Sequence, residues 1–329
     1  MTDDGKPTVR EEQARRLAES MKRQLGAFCP LLMERDVIEL MLNADGQLWV
    51  DRLGQPMKAV GKLAASTAES FIATVASTLR SAVTRENPIL ECELPAEPPF
   101  DGSRFEALIP PIVSAPVFTI RRKASAVFTL EEYERQGIMT GPQRAAIERA
   151  VQERQNILVV GGTTTGKTTL TNAIIDRMVH ATPHHRLVII EDTAEIQCTA
   201  PNAVIMRATD TVDMQRLLKA TLRLRPDRII VGEVRGGEAL AMLKAWNTGH
   251  PGGACTVHAN HARAGLTRIE QMIAEVSQTP MRALIAEAIN LVVSIVRTDT
   301  APGRRIHEVV AVNGLGDGDY RFVSMERPE

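Results

Sequence analysis

From Val9 to Phe28, the apolar residues Ala14, Leu17, Met21, Leu25 and Phe28 recur at steps of three and four among Arg, Glu and Lys, a spacing that predicts an amphipathic helix. A second, short helix fits Arg35 to Leu42, and Asn43-Ala44-Asp45-Gly46 reads as a turn into a strand over Gln47 to Asp51. Helical spacing returns from Ala64 to Val83. Ile89 to Leu94, Arg104 to Ile109 and Val117 to Arg122 read as strands separated by Pro- and Gly-rich turns. Residues 1–122 are therefore expected to form an α+β unit.

Between 123 and 140 the text turns polar, with Glu131-Glu132-Tyr133-Glu134-Arg135-Gln136 and no strand pattern, and the linker is expected there. Over 141–329 the pattern alternates. A helix (Pro142 to Gln152) is followed by a strand (Asn156 to Val160), a Gly-rich loop, a helix (Lys167 to Val179) and a strand (Leu187 to Glu191). The series continues through strand Arg228 to Val231, helix Gly237 to Ala245 and strand Ala254 to Val257, then helices and a β-rich tail from Ile306 to Val323. Such alternation specifies an α/β domain around a parallel sheet.

Composition narrows the function classes. A length of 329 residues exceeds one ordinary core and agrees with two domains. A formal net charge of -1 and only 3% aromatic residues weigh against a protein that tracks nucleic acid, which favours basic grooves and stacking rings. The first residues lack a basic start and an apolar stretch, and no run of about 18 apolar residues occurs, so a cytoplasmic location is expected. Cys29, Cys92, Cys198 and Cys255 lie far apart without a C-x-x-C pair, which predicts reduced, mostly buried thiols in place of a zinc knuckle or disulfide framework.

The chemistry concentrates in the second half. Gly161-Gly162-Thr163-Thr164-Thr165-Gly166-Lys167-Thr168 follows the apolar strand Ile157-Leu158-Val159-Val160 and precedes a helical stretch, the context in which G-x-x-x-x-G-K-[ST] cradles phosphate. Backbone N–H groups of such a loop wrap the β-phosphate. Lys167 is expected to reach the β/γ oxygens, the Thr168 hydroxyl to be a ligand of Mg²⁺, and Thr169 to complete the ATP-binding stretch. Val188-Ile189-Ile190-Glu191-Asp192 and Arg228-Ile229-Ile230-Val231-Gly232-Glu233 are apolar strands that end in acids, where strand ends of an open α/β sheet face a ligand. Glu191 and Glu233 are both candidates for the Mg²⁺ site or the attacking water, Glu233 is the expected water-polarising base, and the division of roles stays open. His250 and His258 flank a Gly-Gly turn and suit hydrogen bonding to a γ-phosphate. Arg121-Arg122-Lys123 and Arg223, Arg225, Arg228 and Arg235 read by default as solvated or subunit-facing charge runs, although Arg104 and Arg121 are candidates to stabilise charge on the nucleotide.

Residues 161–169, Glu191-Asp192, the stretch 225–239 and the stretch 249–259 resemble, in order, the Walker A, Asp box, Walker B ending in Gly-Glu, and His box of the secretion-ATPase superfamily. Within it the chain looks like the type IV secretion ATPases, most closely the TrbB conjugal-transfer type. A weaker resemblance runs through Ile38 to Asp51, Pro88 to Pro111 and Thr119 to Lys123. The resemblance implies a RecA-like P-loop domain and a homohexameric ring with ATP held between each subunit's two domains. It also implies Arg104 and Arg121 lent to the nucleotide, and docking on inner-membrane components of a secretion apparatus without sequence-specific nucleic-acid binding. A pilus-retraction type of motor and a RecA-like nucleic-acid motor are the alternatives. Lys167→Ala is expected to abolish ATP hydrolysis by the purified protein, measured as phosphate release; unimpaired release would remove the site from these residues.

Overall fold

The computed structural model describes residues 9–34, 36–79, 82–123, 127–209 and 211–325. The reading of the first residues, Arg35 in the expected short helix, residues 80–81 of the expected long helix and 124–126 of the expected linker fall outside them. The chain forms two compact units, Met1–Ser125 and Ala126–Glu329.

In the first unit, α1 (Val9–Leu25) runs into a 3-10 segment (Gly26–Met33), then β1 (Val37–Leu42), β2 (Gln47–Arg52), β3 (Lys58–Lys62), α2 (Ala65–Thr78), β4 (Ile89–Glu93), β5 (Arg104–Leu108) and β6 (Val117–Arg121). The strands pair antiparallel in the order β3-β2-β1-β6-β5-β4. Met21 and Leu25 of α1 and Phe71 and Val75 of α2 close over one face of this sheet, where Phe71 stacks edge-on against Phe105 at 5.6 Å. The helix expected over 35–42 is strand β1. A register shift between Val37 and Glu39 brings Val37, Leu40 and Leu42 onto the buried face, so a bulged strand shows the three-residue spacing of a helix.

The second unit comprises α3 (Leu130–Arg135), α4 (Gly141–Gln152), β7 (Ile157–Gly161), α5 (Lys167–Ala181), β8 (Leu187–Glu191), β9 (Ala203–Arg207), α6 (Met214–Thr221), β10 (Arg228–Val231), α7 (Glu238–Asn247), β11 (Ala254–His258), α8 (Ala262–Ala274), α9 (Arg282–Ala288), β12 (Leu291–Arg297), β13 (Arg304–Gly316) and β14 (Asp319–Ser324). Its sheet order is β14-β13-β12-β7-β11-β10-β8-β9, with β12 through β9 parallel and β13 and β14 antiparallel at one edge. Alternation along β7 divides the core: Ile157 and Val159 pack with α4 and α5, and Leu158 and Val160 with the cluster of α7 and α8. Burial of each such side chain contributes roughly 1.5–3 kcal/mol.

Part of the expected linker belongs to this core. Leu130, Tyr133, Ile138 and Met139 are buried in the cluster around β7, and the polar residues between them line the other side of α3. A capping box of Thr129 and Glu132 starts that helix, and Arg144 of α4 ties it down through Glu134 at 2.7 Å. Strands β3, β9 and β12 went unread in the sequence; the apolar run in β12 is too short to tell strand from helix without its neighbours. Only Cys255 of the four thiols is fully buried; Cys29, Cys92 and Cys198 are partly exposed.

Asn156 fastens the edge of the sheet away from the Gly-rich loop. Its Oδ1 accepts from Gly252 and Gly253 N–H at 2.8 and 2.9 Å, and its Nδ2 donates to the Ala288 carbonyl at 2.7 Å, all out of water. Asn156→Ala leaves those groups unpaired and is expected to weaken the second unit by roughly 3 kcal/mol, read as an earlier denaturation midpoint. An unchanged midpoint would show that the bonds carry no net stability.

Candidate functional site

Parallel register delivers the four chemical stretches to one place. Gly161 pairs with His258, Val231 with Cys255 and with Ile190, so β7, β11, β10 and β8 all end at the same edge of the sheet. Brought to that edge are the Gly-rich loop, His258, Glu233 and the Glu191-Asp192 pair. In an open parallel sheet this carboxyl-end edge is the ligand side.

The loop after β7 is shaped for close backbone approach. A Cβ on Gly161 would lie 2.6 Å from the Ile295 carbonyl and 2.5 Å from Thr165 Oγ1, and Gly166 has φ 96°, in the left-handed region. Thr164, a β-branched residue, also sits there at φ 59°, at the tip of the loop beside exposed Thr163. Thr165 Oγ1 donates to the Gly162 carbonyl at 3.0 Å. Gly166 caps α5 without a side-chain acceptor, so the helix presents its N–H groups and positive dipole end to the loop, with Thr168 and Thr169 in its first turn.

A polar chain crosses the strand ends. Lys167 is 7% exposed; its Nζ donates to the Gly162 carbonyl at 3.0 Å and lies 3.2 Å from His258 Nδ1. His258 Nε2 is 2.9 Å from Glu233 Oε1. Arg235 NH2 and Nε reach Glu233 Oε2 at 2.6 and 2.7 Å, and its NH1 reaches Asp192 Oδ2 at 2.8 Å.

The acids divide their work in a way the sequence did not disclose. Glu191 is 2% exposed, and its Oε2 accepts from the N–H groups of Glu195 and Ile196, both at 2.9 Å. Burial pushes its carboxyl above the ordinary value, and the two N–H groups pull the other way. Glu191 thus tethers the turn after β8, and the acid on the Thr168 hydroxyl is Glu195, whose Oε2 accepts from Thr168 Oγ1 at 2.9 Å. Asn172, fully buried in α5, holds the same turn from below by donating to the Glu195 carbonyl and accepting from Gln197 N–H. Glu195 went unread, although a third acid four residues after Glu191 was a visible signal.

Other expectations moved. His250 precedes β11 whereas His258 ends it, so the strand separates them, and the Nδ1 of His250 lies 3.1 Å from the Pro226 carbonyl at the opposite edge. Arg228 is no surface charge: it is fully buried, donates to the Gly252 and Val151 carbonyls at 3.0 Å each, and burial draws its guanidinium down to about 10. Arg104 and Arg121 belong to the first unit, directly opposite each other on β5 and β6. Glu93 on β4 stands opposite Arg104, Glu39 on β1 opposite Arg121, and Asp51 on β2 opposite Glu39. All five lie at one level of the sheet, on the face away from the Phe71 core, where carboxylates flank two adjacent guanidiniums.

The profile of the type II/IV secretion system protein family matches residues 31–313. The chain is 50% identical over 315 residues to a probable conjugal transfer protein TrbB of Sinorhizobium fredii, covering 95% of each. It is 52% identical over 307 residues to the conjugal transfer protein TrbB of Rhizobium radiobacter, covering 93% of this chain and 92% of that one. The X-ray structure of the Legionella pneumophila ATPase DotB shares the fold, with a TM-score of 0.60 at 16% identity over 95% of this chain and 83% of that one.

Glu195→Ala is expected to lower kcat for ATP hydrolysis at least ~10-fold while stability stays within about 1 kcal/mol of the parent, because the side chain is only partly buried. Paired turnover and denaturation measurements check this; full turnover would reduce the Thr168 bond to a loop contact.

Proposed function

The chain belongs to the type II/IV secretion system protein family and is an ATP hydrolase, and from that premise we propose that it is the ring-forming motor of a conjugal-transfer, type IV secretion apparatus. One observation carries the chemical part: the run from Lys167 through His258, Glu233 and Arg235 to Asp192 links all four chemical stretches at one sheet edge. The transfer part is supported by relatives near half identity over almost their full length, which are themselves conjugal transfer proteins.

In this reading the Gly161–Gly166 loop and the N-terminus of α5 hold the phosphates by backbone N–H groups, and Lys167 sets a positive charge against the β/γ oxygens. Glu233 orients the attacking water and accepts its proton, while His258, 2.9 Å from its Oε1, keeps that carboxylate directed. The donor set also fits Mg²⁺: Thr168 Oγ1 and Glu195 Oε2, 2.9 Å apart, offer hard oxygens, while Glu233 is engaged by His258 and Arg235. Mg²⁺ bound with ATP neutralises charge on the phosphate oxygens. Arg104 and Arg121 stand opposite each other on β5 and β6, and on the resemblance to the secretion ATPases we assign them to the nucleotide's phosphates. No helix among the described residues is long and apolar enough to cross a membrane. We assign the motor a homohexameric, cytoplasmic form that docks on inner-membrane components.

Glu233→Gln should keep ATP binding, read with a fluorescent nucleotide, yet lose turnover by about 10²-fold or more. Arg104→Ala and Arg121→Ala should each lower turnover in the same assay. Solution mass should reach that of six subunits with Mg·ATP, and a strain carrying Lys167→Ala should fail to transfer plasmid. Unimpaired transfer, or a monomer under all conditions, would overturn the motor reading.

A further inference from the structure

Arg235 stands two residues beyond Glu233 in the loop that leaves β10, with its side chain 56% exposed. An ion pair this open to water adds little to stability, so its geometry calls for another account. The guanidinium does not merely neighbour Glu233. Two of its N–H groups, Nε and NH2, converge on the single oxygen Oε2, and the third nitrogen turns to Asp192 at the end of the adjacent strand β8. The backbone beneath it is held as well: the N–H groups of Arg235 and Gly236 donate to Glu238 Oε1 at 2.6 and 3.0 Å, at the start of α7.

A carboxylate has about four acceptor sites, two on each oxygen. Arg235 Nε donates to Oε2 and NH2 lies 2.6 Å from the same oxygen, while His258 Nε2 lies 2.9 Å from Oε1, so Oε1 is the oxygen the arginine leaves open, beside His258. A Glu233 without the arginine would be free to turn about its last torsion, which is broad for a carboxylate. We propose that Arg235 is a positioning residue for ATP hydrolysis: by clamping Glu233 Oε2 against Asp192 it directs Oε1 toward the attacking water. The inference rests on the reading of Glu233 as the base. It requires a planar fork of donors, which arginine has and lysine lacks. Burial works against charge on this guanidinium, but Glu233 and Asp192 hold it above the ordinary arginine value, so the clamp stays charged throughout.

The test is steady-state ATP hydrolysis by the full-length protein with parallel binding of a fluorescent ATP analogue. Arg235→Ala should lower kcat on the order of 10–100-fold with KM and analogue affinity changed less than about 3-fold, the pattern of an interaction needed only in the transition state. Arg235→Lys should recover part of the loss, since an ammonium reaches one carboxylate at a time. In a Glu233→Gln background, Arg235→Ala should cost nothing further, because both changes disable one unit; a purely structural arginine would add its loss to that of Glu233→Gln. Wild-type kcat in Arg235→Ala, or additive losses in the double variant, overturns the proposal. Turnover that survives Glu233→Gln would instead overturn the reading of Glu233, a different outcome of the same experiment.

Discussion

Parallel pairing of β7, β11, β10 and β8 is the constraint on which the site depends. In a parallel ladder each strand enters at one edge of the sheet and leaves at the other, so a residue that ends one strand lies level with those ending its neighbours. The pairings of Gly161 with His258 and of Val231 with Cys255 and Ile190 bring together residues nearly one hundred positions apart in the chain. The apolar runs that form these strands are buried on both faces. Core burial and site assembly therefore have one cause. A slip of one residue in any of the four strands would exchange the side chains packed into the two core clusters and carry its terminal acid, histidine or glycine out of line.

What the edge gathers is a set of mutually satisfied charges. Lys167 is buried and held by a backbone carbonyl and the His258 ring, while Glu233 meets His258 and Arg235. Glu191, the most buried acid of the group, spends its charge on two backbone N–H groups of its own turn, which fixes Glu195 beside Thr168. A buried carboxylate with those donors acts as a brace, and the braced turn presents the half-buried acid Glu195. Function is divided between a residue that shapes and a residue that reaches, four positions apart.

The first unit repeats the principle with antiparallel strands. Asp51, Glu39, Arg121, Arg104 and Glu93 fall at one level across β2, β1, β6, β5 and β4, so carboxylates at both flanks offset two guanidiniums that would otherwise repel. Two separate strands of the sequence each offered one arginine; only the register made them a pair.

Much of this was legible in one dimension because the chemistry is local. Gly161 to Thr168 must follow a strand and open a helix, so the order of residues sufficed to find the loop, and Glu233 and His258 were visible as polar ends of apolar runs. Strand β1 was misread because its bulge gives Val37 and Leu40 a helical spacing. Glu195 was passed over, Arg235 was grouped with a charge run, and the polar face of α3 was mistaken for linker, because surface polarity alone does not say what a side chain faces. By itself the sequence determined most of the elements of the second unit, the phosphate loop and the kind of residue at each strand end, since these follow from short-range periodicity and backbone geometry. Tertiary structure alone decided which acid meets Thr168, which arginine holds Glu233 and which histidine joins the site, since those partnerships depend on the order and register of strands distant in the chain.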